Sequence, residues 1–152
     1  LVECQTGAAE SIPSELTRIA QLTQLELSSN GMLSVWPLNY VKHTRLMKLN
    51  LSSNLLTSEK ITELTSLTSL TTLDLSANAF QGNTLLQALT GLPEFQFLTV
   101  DFNYMVNTIP RILGNMSKLS TLSATNTSGL KLRCASECVL WLLPHLPCLL
   151  RH

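Results

Sequence analysis

Leu70-Thr71-Thr72-Leu73-Asp74-Leu75-Ser76-Ala77-Asn78-Ala79-Phe80 carries the reading of the whole chain. Leu73 and Leu75 are two residues apart with Asp74 between them, which is the side-chain period of a strand with one buried face. The asparagine follows Leu75 by three, and an apolar residue follows the asparagine by two. The same arrangement appears upstream as Leu22, Leu25, Leu27, Asn30, Met32 and as Leu46, Leu49, Leu51, Asn54, Leu56. It appears downstream as Phe95, Leu98, Val100, Asn103, Met105, and in weaker form as Leu119, Leu122, Ala124, Thr127. Successive copies are 24, 24, 25 and 24 residues apart, so residues 22–127 hold five copies in register.

A unit of this size cannot bury its own leucines. Neighbouring units must stack, each covering the apolar side of the next, and the repeated strands then line up as a parallel sheet. At about 4.8 Å per strand the five clear strands span roughly 20 Å. The asparagine column has a separate cause: a buried amide at the bend can hydrogen-bond backbone groups that the turn leaves unpaired. Asn30, Asn54, Asn78 and Asn103 are therefore expected to be structural, and the serine pairs at 28–29 and 52–53 belong to the same bend rather than to a reaction centre.

The pattern L-x-x-L-x-L-x-x-N-x-L is identified as that of leucine-rich repeats. Within that class, Asn103 to Leu119 resembles the plant-type repeat N-x-L-x-G-x-I-P-x-x-L-x-x-L-x-x-L, with Ile109-Pro110 in place and Asn107 where the glycine would stand. Ser11-Ile12-Pro13-Ser14-Glu15-Leu16 fits the same half-repeat and Trp36-Pro37 carries its proline, whereas the coils around Ile61 and Leu85 lack it. The resemblance implies an α/β solenoid, a horseshoe segment with a parallel β-sheet on the concave face and short helical or irregular segments on the convex face. It also implies a binding surface rather than a reaction, of the kind found in extracellular receptor-like proteins and polygalacturonase inhibitors. An extracellular or cell-surface location is expected from it, with an intracellular one as the alternative.

The 152 residues suit one domain, with 1–21 as a partial N-terminal repeat or cap and 128–152 as a C-terminal cap or truncated repeat. Val2 and Cys4 alternate as Leu25 and Leu27 do, so the first residues read as a degenerate strand. The chain starts without an initiator methionine, and it is expected to be part of a longer polypeptide or assembly. The apolar run from Cys138 to Leu150 is too short and too interrupted by proline to span a membrane.

Charged residues make up 13% of the chain and its formal net charge is zero, which gives no electrostatic footprint for nucleic acid. No G-x-S-x-G, H-E-x-x-H, G-x-G-x-x-G or phosphate-loop motif occurs, so neither a catalytic group nor a cofactor is expected. Cys134, Cys138, His145 and Cys148 have a spacing foreign to structural zinc sites, and no metal is expected. Cys134 and Cys138 are the nearest candidate disulfide pair in an oxidising compartment; in a reducing one the cysteines serve as small hydrophobes. Three N-glycosylation sequons begin at Asn50, Asn115 and Asn126. Asn50 falls on the inner sheet face, which leaves Asn115 and Asn126 as the better acceptors.

The solvent side of the sheet remains. Its columns are mostly small and polar, but the fourth coil adds Phe97 and Phe102 with Asp101 between them, and exposed aromatics are where interface energy concentrates. Phe95, Phe97 and Leu98 allow two registers, one of which turns Phe97 inward. Glu26, Lys48, Asp74, Phe97, Asp101 and Phe102 are accordingly the candidate contacts for a protein or peptide ligand on the concave face. A second reading is a structural subunit or assembly scaffold that docks through the apolar segment from Val139 to Leu150. A third is recognition of a carbohydrate or ice lattice by the hydroxyl rows, which Glu26, Lys48, Asp74 and the phenylalanines interrupt.

Overall fold

The computed structural model describes residues 2–3, 18–33, 45–58, 61–82, 84–108, 110–127 and 129–131. Cys134 and Cys138, the apolar segment 139–150, Cys4, the three histidines and the proline-bearing stretches at 13 and 37 lie outside the described residues.

Each coil contributes one three-residue strand at its L-x-L: β2 (Gln24–Glu26), β3 (Lys48–Asn50), β4 (Thr72–Asp74), β5 (Phe97–Thr99) and β7 (Thr121–Ser123). A two-residue strand, β1 (Val2–Glu3), pairs in parallel with β2, and Val2 stands opposite Leu25 as the alternation implies. The result is a six-stranded parallel sheet in the order β1-β2-β3-β4-β5-β7. The register advances by one repeat at each step, from Leu25 to Leu49, Leu73, Leu98 and Leu122. The ladder runs on past the strands: Leu27, Leu51, Leu75 and Val100 donate their N–H groups to Asn50, Asp74, Thr99 and Ser123 carbonyls at 2.8–2.9 Å.

Behind the sheet lies one apolar core, built from the leucine columns together with Phe80, Phe95, Met32 and Met105. Among the described residues, the return segments of the second, third and fourth coils close this core, and their form follows the local sequence. Where Pro110 fixes an extended backbone (φ −62°, ψ 132°), a 3-10 turn follows over Arg111–Asn115. The third coil has the extra residue and lacks a proline at the site that Pro110 holds in the fourth, and it forms the short α-helix α1 (Thr84–Leu89), which buries Leu85, Leu86 and Leu89 on one face. A 3-10 turn over Ile61–Ser66 does the same for the second coil.

One element departs from the expected helical or irregular return face. Strands β6 (Val106–Thr108) and β8 (Gly129–Lys131) form a second, parallel two-stranded ladder in which Asn107 stands opposite Leu130. The backbone just past the buried asparagine is thus extended in the fourth coil and in the chain beyond the fifth. No leucine periodicity marks these residues, and the pairing is a ladder between backbone groups.

Candidate binding face on the sheet

The asparagine column ties the coils together. Asn54 is buried, and its Oδ1 accepts the Asn30 and Met32 N–H groups at 3.1 and 3.0 Å. Its Nδ2 donates to the carbonyls of Leu27, Leu51 and Ser52 at 2.9–3.1 Å. Asn78 and Asn103 repeat this scheme one coil further on, with Oδ1 accepting from Leu56 and Phe80. In the fifth coil Thr127 takes the place, and its hydroxyl donates within its own coil to the Ala124 carbonyl at 3.3 Å.

The residue just before each of these side chains sits in the left-handed region: Ser29, Ser53, Ala77, Phe102 and Asn126, with φ between 50° and 60°. Of these, asparagine tolerates the conformation best, and the bulky phenylalanine there is a true outlier. The turn is fixed from outside, because each residue's N–H faces the next coil. Ser29, Ser53, Ala77 and Phe102 donate to the carbonyls of Ser52, Ser76, Asp101 and Thr125 at 2.8–3.0 Å. The sequence carries a faint sign of this row in the small residues that precede the asparagines, but not in Phe102.

The geometry places the six candidate contact residues as follows. Glu26, Lys48, Asp74 and Phe97 project from β2 to β5 on the solvent side, and Asp101 and Phe102 follow β5 in the bend. Of the two registers open to the fourth coil, the structure adopts the one with Phe95 and Leu98 buried. Phe97 is 43% exposed and stands between Thr72 and Thr121. Phe102 is 59% exposed. Phe97 is thus an exposed ring between two threonines, and Phe102 holds the place that Ala77 and Asn126 take in the adjacent coils.

The acids are not free. Asp74 Oδ1 accepts the N–H and the hydroxyl of Ser76 at 2.9 and 2.6 Å, as Asn50 Oδ1 accepts the Ser52 N–H at 3.0 Å. Asp101 Oδ1 accepts the Thr125 N–H at 2.6 Å, and Ser123 Oγ donates to the same carboxylate. Both carboxylates therefore cap backbone N–H groups at the end of the sheet, a role that sequence alone does not distinguish from that of a solvent-facing charge. Among the described residues no group of three histidine, cysteine, aspartate or glutamate side chains could hold a metal ion. No described helix is long and apolar enough to cross a membrane.

No protein-family model and no curated protein sequence matches the chain. Solved structures do. The chain is similar to the BIR2 ectodomain of Arabidopsis thaliana, at 26% identity and a TM-score of 0.67 over 84% of this chain and 66% of that one. It is similar to the leucine-rich-repeat ectodomain of the Arabidopsis receptor kinase HAESA, solved with a peptide hormone ligand, at 25% identity and a TM-score of 0.68 over 83% of this chain and 21% of that one. A plant ice-binding protein shares the fold alone, at 19% identity and a TM-score of 0.66 over 83% of this chain and 48% of that one. The chain spans less than two thirds of the length of each of these proteins. Repeat, sheet register and asparagine ladder agree with these likenesses: the chain is a leucine-rich-repeat protein whose coils resemble the plant-type extracellular repeats of receptor ectodomains.

Proposed function

We propose that the chain is a non-catalytic binding module that takes a protein or peptide ligand on the solvent side of its sheet, outside the cell. One observation carries the reading: Phe97 and Phe102 expose two aromatic rings on the same coil, over a sheet whose other outward strand residues are polar. A folded chain gains nothing from leaving such surface in water, whereas an interface gains most from aromatic anchors of this kind. Two likenesses support it. HAESA is solved with a peptide hormone ligand, and the GASSHO1/SCHENGEN3 ectodomain with CASPARIAN STRIP INTEGRITY FACTOR 2. The ectodomain neighbours support the extracellular placement in the same way.

The test is selection of a random linear peptide library on the full chain, followed by titration of the enriched peptides against variants. Phe97→Ala and Phe102→Ala weaken binding by tenfold or more, while Ile112→Ala, at an exposed position on the return side of the coil, leaves it unchanged. Peptides that ignore both phenylalanines, or that respond to Ile112, overturn the reading.

A further inference from the structure

We propose that Asn126 is an N-glycan acceptor and that its glycan masks the aromatic docking face. The proposal rests on the reading of that face given above, and adds a covalent control to it.

The three sequons occupy different ground. Asn50 lies within β3 in the middle of the sheet, half-buried, with its Oδ1 already accepting the Ser52 N–H. Asn115 is exposed, but at the end of the 3-10 turn on the return side of the fourth coil. Asn126 is exposed at the end of the fifth coil's strand segment, in the left-handed conformation (φ 50°) that asparagine tolerates better than most residues.

Its position decides the consequence. Asn126 and Phe102 hold the same place in adjacent coils, each directly before the buried bend residue, and the Phe102 N–H donates to the carbonyl of Thr125, the residue preceding Asn126, at 2.9 Å. Adjacent strands of such a sheet lie about 4.8 Å apart. A saccharide on Asn126 is therefore rooted one strand away from the Phe102 ring and occupies the solvent that a ligand of Phe102 and Phe97 would need. The same modification on Asn115 stands on the other side of the coil and leaves the rings open.

The co-reactant is a lipid-linked oligosaccharide pyrophosphate. The Asn126 amide nitrogen attacks the anomeric carbon of its first sugar; the C–N bond forms, the C–O bond to the pyrophosphate breaks, the nitrogen gives up one proton and the lipid pyrophosphate departs. The sequon supplies Ser128 at the second position after the asparagine.

The experiment is secretion of the full chain from a eukaryotic host, with glycopeptide mapping by mass and titration of the peptides selected on unglycosylated protein. The expected result is a glycan on Asn126, and peptide binding at least tenfold weaker than to the unmodified chain. Enzymatic glycan removal restores binding, and so do both Asn126→Gln and Ser128→Ala, the second of which keeps the asparagine in its left-handed turn. Removal of the Asn115 glycan by Ser117→Ala has no effect on binding. An unmodified Asn126, or a modified one that binds the peptides as tightly as bare protein, overturns the proposal. Failure of the docking reading is seen separately, as peptides on unmodified protein that ignore Phe97→Ala, and it removes the masking role with it.

Discussion

Asp101 reaches from the fourth coil into the fifth, where its Oδ1 accepts the Thr125 N–H at 2.6 Å while Ser123 Oγ donates to both of its oxygens at 2.8 and 2.9 Å. The carboxylate therefore holds the strand end of one coil to that of the next, beside the bend that carries Phe102.

Asp101→Ala leaves the Thr125 N–H and the Ser123 hydroxyl without this acceptor and costs about 2 kcal/mol of stability, the scale of hydrogen bonds to a charged group. Asp101→Asn recovers part of the loss, because an amide oxygen still accepts the Thr125 N–H. Urea unfolding of the two variants checks this. Equal losses would mean that the charge matters rather than the acceptor.

The buried asparagines weigh more. Asn78 Oδ1 accepts the Leu56 N–H and its Nδ2 donates to the carbonyls of Leu51, Leu75 and Ser76, all inside the stack. Asn78→Ala strands one donor and up to three acceptors between two coils, for a loss of about 3 kcal/mol. Asn78→Asp keeps the acceptor and loses the donors, and it too is expected to destabilise, with a buried charge added. Ser76→Ala, by contrast, removes one half-buried hydroxyl bond to the Asp74 carboxylate and costs about 1.5 kcal/mol, the low end for a hydrogen bond to a charged group. The ranking is read from denaturation midpoints on matched samples.

What was legible in the sequence follows from what repeats. The leucine columns and the asparagine column are dictated by burial, and burial has a period, so strands, register and stacking direction could all be read from Leu25, Leu49, Leu73, Leu98 and Leu122. The left-handed row was hidden because a backbone angle fixed by hydrogen bonds from the next coil leaves no apolar period. The β6–β8 ladder was hidden as well, because Val106-Asn107-Thr108 pairs with Gly129–Lys131 outside the period of the leucine columns. On the candidate face, three apolar residues in four positions at 95–98 left the register of Phe97 open, and only the packing of Phe95 and Leu98 into the core turns Phe97 outward. Asp74 and Asp101 looked like charges offered to a ligand because the backbone N–H groups they cap belong to turns, whose partners a sequence does not display.

Phe102 separates stability from binding more sharply than any other position. Its left-handed backbone (φ 53°) costs a side chain with a Cβ about 1 to 2 kcal/mol, and the equivalent residues are Ser29, Ser53, Ala77 and Asn126. At 59% exposure the ring regains little of this from burial. Phe102→Asn is therefore expected to stabilise the chain, by about 1 kcal/mol, while weakening the selected peptides tenfold or more. Phe97→Ala, in an ordinary strand conformation, is expected to weaken the same peptides with little change in stability. Urea unfolding and peptide titration on the same preparations read both quantities. If Phe102→Asn unfolds at lower urea than the parent chain, the ring contributes to the fold and its place on the sheet needs no ligand to explain it.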